Sequence, residues 1–99
     1  MKYRVRISPG AQADLERLFG FLVEQDLVAA MRAREAIELA YRLLGEFPFA
    51  CRAAGEGSPF LRELLVPFGS AGYVILFEIE EGATVTVAAI RHQREDDYR

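Results

Sequence analysis

Apolar and polar residues alternate strictly at the start of the chain, with Tyr3, Val5 and Ile7 on one side and Lys2, Arg4 and Arg6 on the other. A period of two with a single apolar face predicts a half-buried strand. Ser8-Pro9-Gly10 interrupts it. Ser8 suits a helix cap and Pro9 the first helical position, so a helix is expected to open here. From Ala11 to about Gln25 the positions Ala11, Leu15, Leu18, Phe19 and Leu22 keep helical spacing. Asp26 then caps a second helix reaching about Phe47, with an apolar stripe of Ala33, Ala36, Ile37, Ala40, Leu43, Leu44 and Phe47. So tight a break predicts an antiparallel helical hairpin.

Pro48 stops the second helix, and a loop is expected to about Pro59. Leu61 to Val66 reads as a strand, followed by a turn or bulge at Pro67, Gly69, Ser70 and Gly72. Tyr73 to Ile79 is apolar nearly throughout, the pattern of a central strand covered on both faces. Glu80-Glu81-Gly82-Ala83 suits a hairpin turn, with Gly82 free to take a positive φ. In Thr84 to Ile90, Val85, Val87 and Ala89 alternate against Thr84, Thr86 and Ala88. The order β-α-α-β-β-β predicts an α+β domain over residues 1–99, a helical hairpin packed on a mostly antiparallel sheet. Arg91 to Arg99 is expected to form a polar tail or short helix.

Composition narrows the chemistry. One cysteine, Cys51, and one histidine, His92, leave no disulfide framework and no cysteine or histidine metal cluster. No nucleotide-binding glycine fingerprint occurs, so no cofactor and no metal is expected. The formal net charge of −3 argues against whole-molecule attraction to nucleic acid or an anionic membrane. The N-terminus lacks the continuous apolar core of a secretory signal, and a cytoplasmic protein is expected.

Two places carry candidate function. Arg91 and His92 stand at the end of the last strand, followed by Arg94 and Tyr98, residue types that bind phosphate, move protons and stack on bases. A solvated tail is the plainer reading, because Glu95, Asp96 and Asp97 offset the arginines. Around the helical turn, Phe21, Val23 and Met31 exceed what one buried stripe needs, which suggests an apolar patch for a partner.

The chain resembles the RelE/ParE superfamily of bacterial toxins from type II toxin–antitoxin modules, closest to the ParE branch. The resemblance runs through residues 3 to 15, opening Tyr-Arg-Val-Arg-Ile-Ser-Pro, and the helix end Glu46-Phe47-Pro48. It continues through Cys51-Arg52, Leu61-Arg62-Glu63-Leu64 and Gly72 to Glu78, and closes with Val87 to Tyr98. It implies a cytoplasmic toxin neutralised by a cognate antitoxin, ParD-like with a ribbon–helix–helix head, that touches operator DNA only through that antitoxin. ParE-type toxins inhibit DNA gyrase and block replication, whereas RelE-type toxins cleave messenger RNA on the ribosome.

A ribosome-dependent nuclease must dock in a polyanionic site and stabilise charge at the scissile phosphate. One lysine and a net negative charge suit that poorly, so a gyrase-binding inhibitor is favoured over an enzyme. Arg91, His92, Arg94 and Tyr98 are then the expected target contacts, and Phe21, Val23 and Met31 the antitoxin contacts. Were the chain an endoribonuclease, Arg62, Arg91, His92 and Tyr98 would be its catalytic set, with Gln93 standing where tyrosine often follows the histidine.

Overall fold

The computed structural model describes residues 2–69 and 71–93. β1 (Arg4–Ile7) leads into α1 (Pro9–Gln25) and α2 (Leu27–Glu46). A turn of 3₁₀ helix (Pro48–Ala50) follows, then β2 (Arg52–Ala53), β3 (Leu61–Phe68), β4 (Ala71–Glu80) and β5 (Thr84–His92). The five strands form one sheet ordered β1-β5-β4-β3-β2. β1 runs parallel to β5, and every other pair is antiparallel. Both helices lie on one face of this sheet, an α+β architecture. Among the described residues no helix is long and apolar enough to cross a membrane.

Local chemistry sets both helix starts. Ser8 Oγ accepts from the Ala11 amide at 3.1 Å, and Pro9 occupies the first turn. Asp26 closes α1 by donating its amide to the Leu22 carbonyl, while its carboxylate accepts from the Val28 and Ala29 amides to open α2. One residue thus serves two helix ends and makes the hairpin tight.

Ala11 and Leu15 of α1 and Ala33, Ile37, Ala40 and Leu44 of α2 are buried against Ile75, Phe77, Ile79, Val85, Val87 and Ile90 of the sheet. Leu43 and Phe47, expected in that stripe, are exposed. Phe47 has already left helical geometry at φ −137°, ψ 56°, and Leu43 faces an open trough beside β3.

Three further expectations needed adjustment. β3 runs on through Pro67 to Phe68, and β4 starts at Ala71, so the expected turn is shorter. Pro67 is tolerated because β2 pairs only with Arg62 and Glu63, leaving the rest of β3 as an edge. Gly72 lies so close to β3 that an added Cβ would stand 2.3 Å from the Val66 carbonyl oxygen, which only glycine permits. β4 is the central strand, but the helices cover just one of its faces. On the other, Val74 is 2% exposed between its cross-strand neighbours Leu65 and Arg91, while Glu78 and Glu80 are open to solvent. The short β2 lies within the expected loop, since two residues offer no periodicity to read.

The largest departure is in β5. Leu76 pairs with Ala89 but Phe77 pairs with Val87, so Ala88 is a bulge. An extra residue switches the faces that follow it. Val85 and Val87 point to the helices before the bulge, and Ile90 rather than Ala89 does so after it.

Candidate functional site

The bulge decides where the end of β5 presents its side chains. His92 pairs with Tyr73 and meets its ring edge to face, with centroids 5.8 Å apart. Tyr73 stacks in turn on Phe68 at 5.7 Å. Tyr73 belongs to the helix-side core, so His92 stands on that side. Arg91 pairs with Val74 and lies on the opposite face. The structure therefore places these neighbours on different sides of the sheet, each partly buried. Arg94 and Tyr98 lie outside the described residues.

Arg62, one of the candidates in sequence, is tied to the main chain. Its Nε donates to the Pro59 carbonyl at 2.8 Å, and its Nη1 to the carbonyls of Cys51 at 2.6 Å and Phe49 at 3.3 Å. The guanidinium also sits 5.2 Å from the centroid of the Phe49 ring. This fork gathers the two ends of the segment between α2 and β3. Cys51 is buried beneath it, and burial pushes its thiol above the ordinary range, with Arg62 pulling weakly the other way. A raised, covered thiol is a poor nucleophile. Among the described residues, no three His, Cys, Asp or Glu side chains gather as metal ligands.

The apolar candidates are open to solvent. Phe21 is 65% and Met31 59% exposed, and Val23, Leu27 and Val28 complete an uncovered patch at the hairpin tip. Sequence reading missed a second apolar surface beside it. Ala36, Leu39, Ala40 and Leu43 of α2 face Leu64, Leu65, Val66 and Pro67 of β3 across a trough of about 190 Å³. Leu39 is 62% exposed there. A neighbouring hollow lined by Val28, Arg32 and Phe68 carries the trough towards the hairpin tip. The outer edge of β3 beyond Leu64 has no partner strand among the described residues, so its main-chain groups can receive an extended segment. The surplus of leucines on α2 was the available sequence signal, but spacing alone assigned Leu43 to the core.

A model of the ParE toxin of the parDE type II toxin–antitoxin system matches residues 5–97. Toxin RelE1 of Caulobacter vibrioides is 38% identical over 92 residues, covering 93% of this chain and 95% of the relative. Toxin RelE3 of the same organism is 33% identical over 91 residues, covering 92% and 95%. Among solved structures, a chain of the chromosomal ParDE toxin–antitoxin system from P. aeruginosa superposes with a TM-score of 0.70 at 15% identity. That match covers 92% of this chain and 96% of the other.

Proposed function

Because this chain belongs to the ParE toxin family of type II toxin–antitoxin systems, we propose that it acts by binding and inhibiting DNA gyrase rather than by cutting RNA. The chain is a toxin of the ParE/RelE superfamily, and membership implies a cognate antitoxin. The observation that carries the gyrase reading is the dispersal of the residues a nuclease would use. Arg62 directs its fork at three main-chain carbonyls, and Arg91 and His92 diverge to opposite faces. General acid–base cleavage needs such groups converging within hydrogen-bond reach of one phosphate. A binding inhibitor needs no such convergence: Arg91 and His92 offer contacts on either face at the end of β5, and Arg94 and Tyr98, which follow in sequence outside the described residues, are proposed to join them.

The antitoxin, ParD-like with a ribbon–helix–helix head, covers the hairpin tip at Phe21, Val23 and Met31 and lays an apolar segment in the α2–β3 trough. Contact with operator DNA runs through that head. The exposed apolar side chains and the free β3 edge support this placement, since both call for a partner that buries carbon and pairs main-chain groups.

The test is to induce the toxin alone in a bacterial host and pulse-label DNA and protein synthesis in the first minutes. Collapse of DNA synthesis while translation continues, followed by inhibition of supercoiling by purified toxin and gyrase, is the expected result. Collapse of translation with cut transcripts overturns the gyrase reading and makes the chain a ribosome-dependent endonuclease.

A further inference from the structure

At the end of the sheet away from His92, β3 begins its pairing at Leu61 with Glu78, and β4 runs on beyond it with β5 alone beside it. The Ile79 amide donates to the Phe60 carbonyl at 2.8 Å, and Glu80 and Glu81 continue beyond it into the hairpin turn. The notch so formed is a cavity of about 510 Å³. Ile79 contributes to its lining along with Tyr3, Phe49 and Phe60, and Phe49 and Phe60 meet edge to face with centroids 6.2 Å apart. Both phenylalanines are about half exposed, at 48% each. Glu78, Glu80 and Glu81 also line it, and among the described residues no lysine, arginine or histidine does. Two nearby cations are engaged elsewhere, Lys2 with Glu46 at 3.5 Å and Arg62 with three carbonyls; Arg4 and Arg6 share a sheet face with Glu80 and Glu78 two strands away but do not line the notch. Glu80 accepts a hydrogen bond from the Thr86 hydroxyl, which orients its carboxylate.

We propose that this aromatic, carboxylate-rimmed notch receives an arginine side chain presented by a basic segment of a protein partner. The chemistry is specific to that occupant. Aromatic faces attract a guanidinium, and carboxylates accept its planar fork of donors. Phe49 already has the Arg62 guanidinium near its ring. A nucleic acid is excluded as occupant, because three carboxylates repel phosphate. An uncharged apolar segment would leave those carboxylates facing it without compensation. The notch lies away from the α2–β3 trough and from the end of β5, so the proposal is independent of the gyrase reading.

The experiment titrates the isotope-labelled full chain with the peptide acetyl-Gly-Arg-Arg-Gly-amide and follows amide shifts by NMR. Its control replaces both arginines with citrulline, which keeps the shape and removes the charge. Expected are saturable shifts centred on Phe60 and on residues 79–83. A tenfold or greater weakening is expected for the citrulline peptide and for the double variant Glu80→Gln, Glu81→Gln. Glutamine at position 80 can still accept from Thr86, and the dispersion of the variant's spectrum reports that it folds. No saturation up to about 10 mM peptide, where even a millimolar complex would be formed, overturns the proposal. So does equal binding of the citrulline peptide, or a set of shifts centred elsewhere on this acidic protein.

Discussion

The carboxylate of Asp14 accepts a hydrogen bond at 2.9 Å from the backbone amide of Ile90, seventy-six residues later in the chain. β1 ends at Ile7, so among the described residues β5 beyond Val87 has no strand on that side. Residues at the start of α1 take its place: Ser8 Oγ donates to the Ala88 carbonyl at 3.2 Å, and Asp14 receives the Ile90 amide. The helix start and the bulge are therefore one hydrogen-bonded unit that fixes which face His92 occupies.

Replacing Asp14 with Ala leaves the Ile90 amide without its acceptor. An unmet buried donor costs roughly 1–3 kcal/mol, which in a domain this small lowers the melting temperature by several degrees per kcal/mol. Asp14→Asn keeps a carbonyl oxygen and is expected to lose less. Faster hydrogen exchange at Ile90 in the alanine variant alone checks the assignment. Unchanged exchange there would show that the contact does not protect the bulge.

Arg62→Lys keeps the charge and removes the fork that holds the carbonyls of Phe49, Cys51 and Pro59. A loss of about 1–3 kcal/mol is expected, since these bonds have a charged donor, with hydrogen exchange rising across residues 49–61. Toxicity should track the surviving folded fraction. A lysine variant with unchanged stability and no toxicity would instead place Arg62 at the target.

These cases show what local sequence could and could not reveal. Ser8 and Asp26 were legible as caps because a cap is decided by neighbours within three residues. The exposure of Phe21, Val23 and Met31 was legible as surplus, since one helical stripe cannot bury them. The bulge at Ala88 was hidden, because Val85, Val87 and Ala89 alternate as smoothly as any regular strand. Only pairing with Leu76 and Phe77 reveals the slip. The α2–β3 trough was equally hidden, being a separation between elements rather than a pattern within one. Arg62 reads in sequence as a candidate for chemistry, and sequence could not show that its donors meet Pro59, Cys51 and Phe49.

Tyr41 supplies a pH test. Burial pushes its phenol up to about 12 from 10.0, and its hydroxyl has no hydrogen-bond partner among the described residues. The folded state therefore holds this proton more tightly than the unfolded state. Stability owed to it is complete below pH 10 and is lost as pH rises from about 10 through 12. Ultraviolet titration of the native protein should show a tyrosine ionising late, and Tyr41→Phe should remove that component. The same substitution should leave stability at neutral pH unchanged or slightly higher, because a buried hydroxyl without a partner contributes nothing to offset its desolvation. A marked loss of stability in Tyr41→Phe would reveal a partner for the hydroxyl.

The proposed antitoxin surface predicts binding changes without unfolding. Leu39→Glu and Met31→Glu alter side chains that are largely exposed in the isolated toxin, so melting temperature should change little. Affinity for the antitoxin should fall at least tenfold in each, the loss expected at an apolar anchor. Wild-type affinity should vary little between low and moderate salt, since burial of carbon rather than paired charge drives it. Tight binding that survives both substitutions would move the antitoxin off the trough and the hairpin tip.

The proposed target surface is separable from the proposed antitoxin surface by the same logic. Arg91 lies on the sheet face opposite the helices, and Arg94 follows two residues beyond the strand in sequence. Replacing both with Ala should relieve toxicity while antitoxin affinity stays within a few-fold, because Arg91 lies on the sheet face away from the helical hairpin. Loss of two potential charged contacts removes roughly 1.5–3 kcal/mol or more of target binding, enough to lower gyrase inhibition about tenfold or more in a purified supercoiling assay. His92→Ala and Tyr98→Phe give the opposing test. Each should lower RNA cleavage by one or more orders of magnitude if the chain is a nuclease working by acid–base chemistry. Neither should affect supercoiling by so much if Arg91 and Arg94 carry the contact. Undiminished toxicity in the double arginine variant, confirmed at equal expression, would remove these two residues from target recognition.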